Sequence, residues 1–127
     1  MALNLSNVML GSADSKRLAE FYSKVLGDAE PEWSDEANGW FGWQAGSGSL
    51  AIGPHSEVSG RSKEPARVML NFEVTDVKGE FERIKGFGAE VVAEPYEPQG
   101  GGMAMCTFAD PDGNYFQLTT PWQPESS

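Results

Sequence analysis

An internal repeat with a period of 62 residues constrains the fold of this sequence more than any other feature. Asp14 and Asp76 each stand where a helix N-cap is expected, and each follows an apolar, strand-like segment. Three short strand-like segments follow each predicted helix, so both halves have the order βαβββ. Because one helix covers only one face of a four-stranded sheet, two such units are expected.

The two predicted helices have apolar faces at helical spacing. The first face contains Leu18, Phe21, Tyr22, Val25 and Leu26, and Gly27 follows as the stop. In the second half the same face contains Val77, Phe81, Ile84 and Phe87, and Gly88 follows. The pattern therefore predicts two amphipathic helices, each packed on the sheet of its own half.

These elements predict an α+β fold. Two tandem βαβββ modules should form a curved mixed sheet around a concave pocket, with the helices outside. We place the first module at 1–53, a polar linker at 54–65 and the second module at 66–122. The first strand of each module is predicted at Leu3–Gly11 and Ala66–Val74, and residues 123–127 are expected to form a flexible tail.

A hairpin is predicted between Phe108 and Leu118. Asp110 suits the first position of a type I turn, Pro111 fixes φ at the second, and Gly113 suits a positive φ. In the strand that follows, Tyr115, Gln117 and Thr119 alternate with Phe116 and Leu118. Gln117 is therefore predicted to lie on the face opposite the apolar core.

Composition and charge exclude several functions. A net charge of −10 argues against nucleic-acid binding, which depends on contacts between cations and phosphates. The charge is explained by solubility alone or, alternatively, by attraction of a cationic ligand. No apolar run approaches the roughly 20 residues of a membrane helix. The lone Cys106 cannot form an intramolecular disulfide, so we expect a cytoplasmic protein.

Alternation along the strands separates two faces. One face is steadily apolar and is expected to pack under the helices. The other face is mixed, as in a ligand-lined concavity, and is predicted to contain Asn7, Met9, Ala51, Arg67, Met69, Asn71, Glu73, Met105 and Gln117.

Aromatic residues of the first half suggest a stacking surface. Trp40 and Trp43 are three residues apart on one predicted strand, so they should face opposite sides of a regular strand. At least one of them should then face the concave side, where an indole can stack on a flat ligand or a cation. A core role is the alternative for either residue.

The duplicated βαβββ unit, the sequence Phe-Tyr-x-x-Val-Leu-Gly at 21–27 and the Asp-Pro-Asp-Gly-Asn hairpin together resemble the vicinal oxygen chelate superfamily. This superfamily includes glyoxalase, extradiol dioxygenases, fosfomycin resistance enzymes and bleomycin resistance proteins. The resemblance covers about 3 to 120. It implies a divalent metal held by His and Glu side chains of the inner strand faces.

The positions that match those metal ligands carry other residues here. They are Asn7, Ala51, Met69 and Gln117, and none is a histidine or a carboxylate. We therefore predict no metal, no cofactor and no catalytic residue. The resemblance favours a metal-free protein that binds a small organic molecule, as bleomycin resistance proteins sequester a drug.

Two alternatives stay open. One is a metal-dependent glyoxalase-like lyase or dioxygenase with atypical ligands. The other is a non-catalytic interaction module. For the favoured, ligand-binding interpretation the expected partners are a small molecule, aromatic or cationic, and a second copy of the chain in a homodimer.

Overall fold

In a computed structural model, the structure of residues 3–97 and 103–121 is described, and the chain divides into two units between Gly60 and Arg61. Each unit contains one helix and one four-stranded mixed sheet. The α+β class and the tandem βαβββ order predicted from the repeat are confirmed. The boundary between the units lies inside the segment predicted as a linker.

The first unit contains β1 (Val8–Ser12), α1 (Ser15–Val25), β2 (Trp33–Asp35), β3 (Trp40–Ala45) and β4 (Gly48–Pro54). The strand order in its sheet is β1-β4-β3-β2. α1 carries the chain back, so β2 runs in the same direction as β1. The antiparallel pairs β2–β3 and β3–β4 then leave β4 parallel to β1.

The second unit contains β5 (Leu70–Glu73), α2 (Val77–Gly86), β6 (Glu90–Tyr96), β7 (Met105–Ala109) and β8 (Tyr115–Thr119). Its strand order, β5-β8-β7-β6, repeats that of the first sheet. β5 is parallel to β8, and the other pairs are antiparallel.

Both helices begin and end where the sequence indicated. The Asp14 carboxylate accepts a hydrogen bond from the Arg17 backbone N–H, and the Asp76 carboxylate accepts one from Gly79. Gly27 and Gly88 follow the C-caps with φ values of +78° and +95°, a conformation that glycine adopts without strain.

The core of the first unit lies between α1 and the sheet. Leu18 and Tyr22 of α1 are fully buried, as is Ile52 of β4. Phe41 and Trp43 of β3 are buried on the same face, since they pair with Ile52 and Leu50. This face of the first sheet is therefore the helix-covered one.

The core of the second unit is a stack of phenylalanine rings. Phe81 of α2 stacks on Phe108, which stacks on Phe116, at centroid distances of 5.3 and 5.5 Å. Phe72 of β5 meets the ring of Phe116 edge-on at 6.0 Å. These contacts identify the helix-covered face of the second sheet.

The predicted turn between β7 and β8 is present. The Gly113 N–H donates to the Asp110 carbonyl at 2.8 Å, and Gly113 has a φ of +82°. Asp110, only 1% exposed, accepts hydrogen bonds at Oδ1 from the backbone N–H groups of Asp112 and Asn114. A buried carboxylate thus fixes the turn.

Both edge strands are shorter than predicted. β1 begins at Val8 and β5 at Leu70, not at Leu3 and Ala66. Continuing the register would place Ser6 opposite Gly48 and Met69 opposite Tyr115, the first residues of β4 and β8. The predicted strand residues before these positions, 3–5 and 66–68, lie beyond the ends of those partners. The tail predicted at 123–127 lies outside the described residues. Within 3–97 and 103–121, no helix has the length and apolar character needed to cross a membrane.

Candidate functional site

Each sheet has a second face, opposite its helix, which we call its open face. On the first sheet, register places Trp33, Gly42, Ala51 and Met9 side by side on four successive strands. Met9 is 40% exposed and Trp33 is 51% exposed. Two of the predicted residues, Met9 and Ala51, therefore share this row.

The indole rings of this face lie flat on glycines. A Cβ added to Gly42 would come within 2.2 Å of Trp33 ring atoms, and one added to Gly53 would come equally close to Trp40. Both glycines are consequently required for the rings to rest on the backbone of the next strand. We call Trp33, Trp40, Gly42 and Gly53 the indole platform.

The sequence predicted Trp43 as a possible ligand contact, and the position of its side chain corrects this prediction. Its side chain is 3% exposed, on the helix-covered face, and its Nε1–H donates to the Ala29 carbonyl at 3.1 Å. Trp40 and Trp43 are three positions apart on a regular strand, so their side chains face opposite sides of the sheet. Only Trp40 therefore belongs to the open face.

The open face of the second sheet is polar. Asn71, Gln117 and Thr107 lie side by side on β5, β8 and β7. The Gln117 Nε2 donates to the Thr107 Oγ1 at 3.2 Å. Glu73 and Met105 flank Thr119 in the next row. The structure therefore brings four predicted residues together: Asn71, Glu73, Met105 and Gln117.

Three predicted residues lie outside the strands. Asn7 is exposed before β1, and Met69 is half-buried directly before β5. Arg67 is exposed, and its Nη2 lies 2.9 Å from the Glu64 Oε1. These three residues lie outside the strands because β1 and β5 begin later in the chain than the sequence predicted.

The predicted site omitted three residues of the open faces, Trp33, Thr107 and Tyr115, although alternation had already placed Tyr115 on the face of Gln117. Thr107 could have been found in the same way, since it lies two positions from Met105, a predicted site residue on its strand. Trp33 could not, because the sequence pattern predicts a strand around Glu30–Trp33, whereas β2 covers Trp33–Asp35.

A divalent metal, which the superfamily resemblance implies, does not fit the residues present. The amide of Gln117 hydrogen-bonds Thr107, and the methyl group of Ala51 is no ligand. Within 3–97 and 103–121, no group of three or more His, Cys, Asp or Glu side chains is placed to hold a metal. The polar side chains of the second open face are therefore suited to hydrogen bonding, not to metal binding.

Cys106 is not part of either open face. It lies on the helix-covered side of β7 and is fully buried. Burial raises the pKa of its thiol to about 11, against a smaller opposing effect of a hydrogen bond with the Leu118 backbone. A neutral, buried thiol is a poor nucleophile.

The chain matches the sequence profile of a family described as a glyoxalase-like domain over residues 7–119. It belongs to this family and, through it, to the vicinal oxygen chelate superfamily. No match was found among curated proteins.

Solved structures with the same fold span nearly the whole chain. The fosfomycin resistance protein FosX from Listeria monocytogenes is 20% identical, with 96% of each chain covered and a TM-score of 0.73. A glyoxalase/bleomycin resistance protein/dioxygenase family enzyme from Burkholderia phytofirmans is 22% identical, covering 93% of this chain and 98% of its own, with a TM-score of 0.71. A hypothetical protein from S. aureus is 26% identical over 95% of this chain and 99% of its own, with a TM-score of 0.67.

Proposed function

We propose that this protein binds a small planar organic molecule, without a metal ion, and sequesters it. The observation that carries the proposal is the indole platform, on which two large rings lie flat over glycines with Trp33 half-exposed. A flat ring system stacks on such a surface, and a positive charge on that ring adds a cation–π attraction. The resistance proteins among the similar structures are consistent with a drug or metabolite as the ligand.

The open face of the second unit, considered by itself, offers hydrogen-bonding groups to a polar ligand. Gln117 and Thr107 already form a pair, and Asn71 lies beside Gln117 on the neighbouring strand. Amide and hydroxyl groups both donate and accept, so they suit an uncharged polar ligand group. Glu73 adds a carboxylate in the next row of this second face.

The test uses proflavine, a planar aromatic cation, titrated against the full chain while tryptophan fluorescence is recorded. Binding is expected in EDTA and unchanged by added Zn²⁺ or Mn²⁺. Trp40→Ala should weaken binding roughly 2- to 30-fold, the equivalent of one cation–π contact. Gly53→Ala should weaken it as well, because the new Cβ displaces the Trp40 ring.

Two variants serve as controls. Gly48→Ala also adds a methyl group to β4, but its Cβ meets only the Ala45 carbonyl at 3.9 Å, so binding should not change. Trp43→Phe should lower thermal stability and leave binding intact. Unchanged affinity in both Trp40→Ala and Gly53→Ala, or binding that requires metal, would contradict the proposal.

A cytoplasmic location and a homodimer remain part of this proposal. Sedimentation of the full chain at several concentrations measures directly whether it forms a homodimer.

A further inference from the structure

We propose that the second unit carries a separate groove that binds small zwitterions, molecules with an ammonium and a carboxylate group on the same carbon. The groove has a volume of about 460 Å³ and is bordered by Glu64, Pro65, Ala66, Arg67 and Tyr115. All five residues belong to the second unit, whereas the indole platform belongs to the first. The inference therefore does not depend on the proposed function.

One wall of the groove is a four-residue turn. The Arg67 backbone N–H donates to the Glu64 carbonyl at 3.1 Å, and Pro65 occupies the second position, where its ring fixes φ. The Glu64 and Arg67 side chains consequently emerge from a backbone that is set before any ligand arrives. Such pre-organisation lowers the entropic cost of binding.

The other wall is Tyr115, the first residue of β8. It follows the turn held by the buried Asp110 carboxylate. The Ser62 backbone N–H donates to the Asp112 carbonyl at 2.8 Å, which ties the segment leading into Glu64 to the same turn. Both walls are therefore anchored to one hydrogen-bonded element.

The charged groups of the groove form an exposed ion pair. The Arg67 Nη2 lies 2.9 Å from the Glu64 Oε1, and both side chains are about 70% exposed. Exposed pairs of this kind add little to stability, so exchanging their mutual contact for a ligand costs little. The guanidinium can then bind a carboxylate, and the Glu64 carboxylate can bind an ammonium.

Charge balance favours a zwitterion over a simple ion. An anion would be repelled by Glu64 and by the net charge of −10, and a cation would leave Arg67 without a carboxylate. A zwitterion satisfies both side chains and carries no net charge. Tyr115 and Pro65 offer apolar surface to its side chain.

The test compares three probes by amide chemical-shift titration of the full chain. They are L-phenylalanine, 2-phenylethylamine and 3-phenylpropionate, which share a ring and differ in their charged groups. Phenylalanine is expected to bind at least about threefold more tightly than either of the others. Its shifts should centre on Arg67 and Tyr115 and leave the Trp40 amide unchanged.

Variants of the pair make the test specific. Arg67→Gln should remove the advantage of phenylalanine over 2-phenylethylamine, and Glu64→Gln should remove its advantage over 3-phenylpropionate. Arg83→Gln is the matched control, because Arg83 and Glu80 form an ion pair of the same spacing on α2. Equal affinities for the three probes, or an unchanged preference in Arg67→Gln, would overturn the inference. Trp40→Ala should not alter phenylalanine binding, so this test and the proflavine test fail independently.

Discussion

Cys106 shows how burial of a single residue determines its chemistry. Its side chain is fully buried on β7, and desolvation raises the pKa of the thiol to about 11 from an ordinary value near 9.0. Between pH 9 and pH 11 the folded chain keeps a proton that the unfolded chain has released. By linkage, the free energy of unfolding must fall as pH rises through this range.

We expect this loss to be about 2 kcal/mol between pH 9 and pH 11. Urea denaturation at a series of pH values measures it. Because lysines and tyrosines also titrate in this range, the comparison is with Cys106→Ala, whose stability should fall less steeply by that amount. Parallel pH profiles for the two proteins would show that the thiol pKa is not raised.

For single residues, the alternation of side chains along a strand predicted part of the site, and burial in the folded structure decided the rest. It correctly placed Trp40 and Trp43 on opposite faces, and Gln117 opposite the apolar core. It could not say which tryptophan lies under α1, because both rings suit a core or a binding face. The glycines at 42 and 53, which let the rings lie flat, have meaning only once the strand register is known.

The helices illustrate what local sequence determines about an element. The Asp76 carboxylate accepts from the Gly79 N–H at 2.9 Å and so satisfies one of the free donors at the start of α2. A Cβ added at Gly79 would lie 2.3 Å from the Asp76 Oδ2, so this glycine leaves room for the cap.

Removing the cap should therefore destabilise the second unit. Asp76→Ala is expected to lower the free energy of unfolding by about 1 kcal/mol, and Gly79→Ala should have a similar effect because it displaces the capping carboxylate. Gly86→Ala is the control, since its Cβ would contact nothing within 4 Å. Thermal unfolding followed by circular dichroism measures all three. A Gly79→Ala variant as stable as Gly86→Ala would contradict this role of the glycine.

The strands were less predictable than the helices, and the reason is physical. Helix ends are set by hydrogen bonds within a few residues, whereas a strand extends only as far as its partner. β6 covers Glu90–Tyr96, the bounds that the sequence pattern predicts, and its partner β7 comes directly after it in the chain. The edge strands β1 and β5 have partners about 40 residues away, so their starts could not be read from local pattern.

For the whole molecule, the net charge leads to a testable prediction. With nineteen acidic and nine basic residues, the protein should attract cationic ligands over distances that salt screens. Proflavine affinity should consequently fall severalfold between 20 mM and 300 mM NaCl, measured by fluorescence titration. Affinity independent of salt would mean that stacking alone holds the probe.

The sequence by itself determined the repeat, the helix caps, the βαβββ order and the family resemblance. Each of these depends on local spacing or on a comparison of the two halves. The sequence also showed that the positions matching the superfamily's metal ligands hold neither histidine nor carboxylate, because this depends on residue identity alone. Only the tertiary structure decided which tryptophan joins the open face, which glycines support the indoles and how Tyr115 meets the turn at 64–67. These features depend on contacts between residues distant in the chain, and such contacts exist only after the strands have paired.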